Sequence, residues 1–128
     1  MKQLAWRALA LAVLAGVFLA GVAVGQNRYG EPKTVLHVVV VKWKADSTEE
    51  QQQQAIAAIR DMAGEIDGIK NVWLSADRVQ PRDFHTAFAL EFESREAADA
   101  YGEHPAHDRW YEIYQPIRDT SRSLQITN

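Results

Sequence analysis

Four histidines, His37, His85, His104 and His107, and one tyrosine near them, Tyr101, are the side chains in this chain best suited to chemistry near neutral pH. An imidazole titrates at about 6.5 when unperturbed, so a pair of them can take and return a proton under physiological conditions. A tyrosine hydroxyl beside an imidazole can steady a developing enolate oxygen while the imidazole removes a proton. Neutral imidazoles also ligate zinc, copper or nickel. His104 and His107 stand three apart, compatible with one helix face, but no carboxylate lies beside them at a recognised ligand spacing. Metal binding is therefore a third reading, and no metal or other cofactor is expected. A single His in a strand is more often a packing group than a catalyst, and His104 ahead of Pro105 reads as a helix-start residue. Function thus depends on whether several of these groups converge on one pocket.

Much other chemistry is excluded. The chain contains no Cys, which removes disulfides, thiolate metal sites and a cysteine nucleophile. It has no nucleophile-elbow, GxGxxG or GxxxxGK[ST] motif. With Lys2 and Arg7 set aside, twelve basic residues face seventeen acidic ones, which is no footprint for nucleic acid.

The elements that must position these groups follow from periodicity. Thr34 to Trp43 is dense in β-branched residues and almost continuously apolar, which predicts a strand buried on both faces. Ser47-Thr-Glu-Glu50 has capping-box spacing, and a helix follows with Ile56, Ile59, Ala63 and Ile66 as its inward stripe, ending at Asp67-Gly68. Val72, Leu74 and Ala76 alternate with Trp73, Ser75 and Asp77 as a second strand. After a turn at Gln80 to Asp83, Phe84 to Glu93 is a third, with Phe84, Thr86, Phe88, Leu90 and Phe92 on one face. Ser94 caps a short helix reaching Tyr101, His104-Pro105 opens another that Pro116 stops or kinks, and Leu124 to Thr127 forms a last short strand.

The order β-α-β-β-α-β is the α+β, ferredoxin-like arrangement, an antiparallel sheet with helices on one side. Its first and third strands are the central pair, which allows His37 and His85 to be neighbours with Tyr101 and His107 laid over them. Apolar residues on both faces of those strands leave a second face to cover. A second copy of the chain is the simplest cover, so a homodimer is expected.

Residues 1–25 read as an address. Lys2 and Arg7 precede eighteen residues, Ala8 to Gly25, that are all Ala, Leu, Val, Phe or Gly. A basic start, an apolar run and small residues at Ala23-Val24-Gly25 fit an export signal cut after Gly25, with the domain placed in the bacterial periplasm or secreted. The run just reaches the ~18 residues of a transmembrane helix, so an uncleaved membrane anchor over residues 8–25 is the alternative. Residues 26–33 have linker composition, and the domain proper spans 34–128.

Three segments together carry a resemblance: Val35-Leu-His-Val-Val-Val-Val-Lys-Trp-Lys44, Phe84-His-Thr-Ala-Phe-Ala-Leu-Glu-Phe-Glu-Ser94 and Ala100-Tyr-Gly-Glu-His-Pro-Ala-His107. They resemble the stress-responsive dimeric α/β-barrel (Dabb) family, as does Glu65-Ile-Asp-Gly-Ile69, and the likeness covers about residues 34 to 127. It implies a ferredoxin-like protomer and a homodimer whose two sheets form a barrel. The similar plant polyketide cyclases close a ring without a cofactor, using a His and a Tyr between sheet and helices. By that resemblance His107 is the general base, Tyr101 its hydroxyl partner, and His37 and His85 are pocket groups that orient a small, partly apolar substrate. Those residue types also belong to relatives without a known reaction, so a non-catalytic binding or structural protein stands beside the enzyme. Arg82-Asp-Phe84 departs from the family's usual Gly-Tyr-Thr.

Overall fold

The computed structural model describes residues 2–25 and 30–128. The chain divides into two units, residues 1–31 and 32–128. In the first, α1 (Lys2–Gly25) is a single helix without charged side chains in its last turn, and its side chains from Leu9 to Gly21 are exposed. Of the expected linker, residues 26–29 lie outside the described residues and 30–33 carry no regular structure; Thr34, expected to open the first strand, carries none either.

The second unit begins with β1 (Val35–Trp43) and continues through α2 (Glu49–Glu65), β2 (Ile69–Trp73), β3 (Thr86–Phe92), α3 (Arg95–Ala100), α4 (Pro105–Tyr114) and β4 (Arg118–Ile126). The four strands form one antiparallel sheet in the order β2-β3-β1-β4, the α+β, ferredoxin-like topology expected from the sequence. Within the protomer, β1 alternates strictly: Val35, His37, Val39, Val41 and Trp43 are buried, while Leu36, Val38, Val40 and Lys42 are half-buried. On β3, Phe88, Leu90 and Phe92 join the buried face, whereas Phe84, expected with them, lies before the strand, outside this core, with the Arg122 guanidinium over its ring. The helices close over that face, and the core is built from it with Ala55, Ile59 and Met62 of α2 and Ala106, Trp110 and Tyr114 of α4.

Four local expectations are corrected. The capping box lies one residue later than the Ser47/Glu50 spacing implies. Thr48 Oγ1 accepts from the Gln51 amide at 3.2 Å and Gln51 Oε1 from the Thr48 amide at 2.9 Å. Ser47 is drawn away because its hydroxyl donates to the Lys44 carbonyl at 2.7 Å, closing the preceding turn. The inward stripe is Ala55, Ile59 and Met62, extended by Ile66, with Ile56 and Ala63 only half-buried. β2 spans Ile69–Trp73, so it begins earlier than its alternation suggests and leaves Leu74 and Ala76 beyond its end. β4 is nine residues long and not four. Its polar first half carries no apolar alternation, yet it pairs with β1 from Trp43 back to Leu36.

Gly68, at φ +90°, makes the turn from α2 into β2. A Cβ there would stand 2.7 Å from the Ala97 Cβ, so close packing against α3 as well as the backbone conformation requires glycine.

Candidate functional site

The site is assembled by one strand and two caps. Alternation on β1 turns His37 toward the helix layer, opposite Leu90 of β3. Ser94 accepts from the Ala97 amide at 3.1 Å and so starts α3 directly at the end of β3. Six residues of helix and a tight turn over Tyr101–Glu103 then bring Tyr101 back across the sheet. Its ring rests on Phe92 with centroids 4.8 Å apart, and its hydroxyl lies 3.1 Å from His37 Nε2. The direction of that hydrogen bond follows the imidazole tautomer.

His104 is the second cap. Its Nδ1 accepts from the Ala106 amide at 3.1 Å and Pro105 takes the first helical position, so His104 has the helix-start role its sequence context suggests. From there His107, Trp110 and Tyr114 fall at helical spacing on the inner side of α4. Trp110 Nε1 donates to the Ala55 carbonyl at 2.9 Å and ties α4 to α2. The His107 ring meets Tyr101 edge-on at 5.0 Å and stacks on Tyr111 at 5.8 Å.

His37, Tyr101 and His107 therefore share one pocket of about 170 Å³, with an apolar wall from Val39, Phe88, Leu90 and Trp110. No carboxylate lines it. Burial lowers the pKa of His37, and the charge of nearby His107 lowers it further. Burial also lowers that of His107, against a smaller opposing effect of Asp108. Both imidazoles are thus neutral at pH 7. Burial pushes the Tyr101 hydroxyl up from its usual value near 10, with a smaller contribution from Tyr114. Nδ1 of His37 and Nδ1 of His107 are buried without a hydrogen-bond partner, which is costly unless something else satisfies them.

Two expectations are revised. His85 does not join the pocket. It lies just ahead of β3, beyond the last paired residue Thr86, and is not among the residues that line the pocket. His85 is exposed there, with Nδ1 3.4 Å from the Trp43 amide. The hydroxyl of Tyr101 also bonds to His37, whereas the resemblance paired it with His107.

Arg118, Tyr114, Ser121 and Ser123 line the pocket as well, and sequence reasoning missed all four. The signal for Tyr114 was present: it follows Trp110 by four residues and His107 by seven, one helical stripe. For the others, the late start assigned to the last strand hid the alternation of Ser121, Ser123 and Gln125 against Arg122, Leu124 and Ile126. Among the described residues no cluster of three or more His, Asp or Glu side chains is arranged to hold a metal ion.

A sequence model of the family described as the stress responsive A/B barrel domain (Dabb) matches residues 35–127. No functionally curated protein matches the chain. Among solved structures, the fold is similar to a dimeric ferredoxin-like protein of unknown function from Thermobifida fusca, with 20% identity, 80% of this chain and 98% of that one covered, and a TM-score of 0.65. It is also similar to the hydroxynitrile lyase of Passiflora edulis, with 18% identity, 74% and 93% covered, and a TM-score of 0.66. A cofactor-independent oxygenase from Streptomyces nogalater aligns at 11% identity over 75% of this chain and 93% of its own, with a TM-score of 0.61. Likeness at these identities concerns the fold.

Proposed function

Because the chain belongs to the stress responsive A/B barrel (Dabb) family, and similar structures include a hydroxynitrile lyase and a cofactor-independent oxygenase, we propose that it binds a small, partly apolar carbonyl compound and moves a proton on it without a cofactor. The reaction class is lyase, cyclase or isomerase. The observation that carries this reading is the 3.1 Å contact of the Tyr101 hydroxyl with His37, beside a buried and unpartnered His107 nitrogen in the same pocket.

In this reading His107, neutral at pH 7, accepts the proton from the carbon next to the carbonyl. Tyr101 donates to the oxygen on which charge develops. His37, in the tautomer protonated on Nε2, donates to the Tyr101 oxygen and leaves the Tyr101 O–H aimed at substrate. The apolar wall excludes water, and the local charges act at greater strength for it.

The same aromatic contacts support a second reading, binding without turnover, since His107 packs among Tyr101, Trp110 and Tyr111. Acetophenone in D₂O distinguishes the two. If the proposal holds, the full chain exchanges the acetyl methyl protons for deuterium faster than buffer does, and His107→Gln slows that exchange by about 100-fold or more with the fold intact. Exchange no faster than buffer, with the His37 and His107 ring signals nevertheless moved by acetophenone, establishes binding alone. Still signals and no exchange reject both readings.

Assembly and location belong to the same proposal. Leu36, Val38, Val40, Leu124 and Ile126 line the sheet face away from the helices, with Leu124 and Ile126 each about half exposed at 53% and 52%. A second copy packed sheet to sheet covers them, in keeping with the dimeric Thermobifida fusca protein of similar fold. Residues 1–25, basic at the start and then uncharged, direct this domain out of the cytoplasm.

A further inference from the structure

The proton-transfer groups occupy one part of the pocket. Further along β1, toward Trp43, the lining is of a different kind. Ser121 pairs with Val41, four residues from His37, which is about 13 Å along a strand. There the Arg118 guanidinium lies 5.7 Å from the Tyr111 ring centre and 5.5 Å from that of Tyr114, and one of its N–H groups donates to Ser121 Oγ at 3.2 Å. No Asp or Glu pairs with it: the salt bridges among the described residues join Lys42 to Asp119 and Arg109 to Glu65. Arg118 Nε is buried with no hydrogen-bond partner, and so is the hydroxyl of Tyr114, a residue only 2% exposed.

A guanidinium held in place by two aromatic rings and one serine has spent little of its donor capacity. The buried Tyr114 hydroxyl, close to Ser121 and Arg118 and without a well-aligned partner, is a second donor at the same end of the pocket. Together they present N–H and O–H groups and a full positive charge to a cavity whose lining has no negative group. The complement is an anion with at least two acceptor oxygens, which a carboxylate supplies.

We propose that Arg118 and Tyr114 form a carboxylate subsite, and that the ligand of this pocket is a small keto acid or aromatic acid with its carbonyl toward Tyr101 and His107. This deepens the reading of the pocket as a carbonyl site and rests on it. A cavity of about 170 Å³ takes a body of about one ring. The apolar wall between the two polar ends holds that ring, so the ligand carries its anionic and carbonyl groups at opposite ends.

Three probes of one shape test this: 4-acetylbenzoate, its neutral isostere 4-acetylbenzamide, and acetophenone, which has no head group. Binding to the full chain is followed by the His37 and His107 ring signals. The subsite predicts that 4-acetylbenzoate binds at least tenfold more tightly than 4-acetylbenzamide. Arg118→Gln brings that ratio near one, Tyr114→Phe lowers it several-fold, and Lys70→Gln, an exposed change on β2, leaves it as it was. Arg118→Lys retains only part of it, because a point charge replaces a fork. Equal binding of acid and amide by the unaltered protein overturns the subsite while leaving the carbonyl site standing. So does a preference that survives Arg118→Gln, or an Arg118 already held by an acidic side chain of a second copy. If none of the three probes moves either ring signal, the carbonyl reading falls too.

Discussion

The two faces of the sheet are built from the same strands by the same alternation, yet they treat polar groups in opposite ways. On the helix side Val35, Val39, Val41, Phe88, Leu90 and Phe92 are closed over, and His37 is buried among them at 9% exposure. On the other side Leu36, Val38 and Val40 remain partly open, and just ahead of β3 the exposed His85 accepts from the Trp43 amide. With Nδ1 accepting from the Trp43 amide and the rest of the ring in solvent, His85 has no unsatisfied polar atom left to recognise a ligand. Behind α4, four buried polar atoms lack partners, on His37, His107, Tyr114 and Arg118, and all four residues line the same pocket. Native structures rarely leave such atoms unpaired, and this concentration of them is what supports the proposal of a ligand site on the covered face.

Breaking the covered face gives the largest effect. Phe92 is fully buried and carries the Tyr101 ring, so Phe92→Ala should cost about 3–5 kcal/mol of stability, measured by urea unfolding. A cost below about 1 kcal/mol would show that the contrast between the faces is overstated. The open face is broken differently. If a second copy covers it, Val38→Glu places an unpaired charge in the contact at about 3 kcal/mol, weakening self-association about 100-fold in sedimentation, while the helix-side core stays folded. An unchanged mass distribution would mean that this face is not where copies meet.

The contrast sharpens with pH. His37 and His107 bind protons less readily folded than unfolded, so in the window below about 6.5 the unfolded chain carries more protons. Stability is then greatest above that pH and declines as pH falls toward the lowered folded values, by at most about 1.4 kcal/mol per unit for each imidazole. Urea midpoints at pH 7.5 and 5.5 check the sign, and His37→Leu should flatten the slope. A midpoint that rises on acidification contradicts the burial of these rings. His85→Ala gives the smallest effect, within about 0.5 kcal/mol of stability and with no loss of acetophenone binding, since its ring is exposed and outside the pocket.

The amino-acid sequence by itself determined the element order, the bulky face of β3, the Ser94 and His104 caps, the stop at Gly68 and three of the four grouped candidates, His37, Tyr101 and His107. These are local properties: a period of two or of 3.6, a cap within three residues, a glycine where φ is positive. Tertiary structure alone decided that His85 stays outside the pocket, that the Tyr101 hydroxyl bonds to His37, and that Arg118 and Ser121 reach the pocket. Each of those depends on strand register, and one residue of slip between β1 and its neighbours exchanges the two faces. Register is fixed by the packing of a whole face against distant helices, a sum over residues far apart in the chain, so no short stretch of sequence contains it.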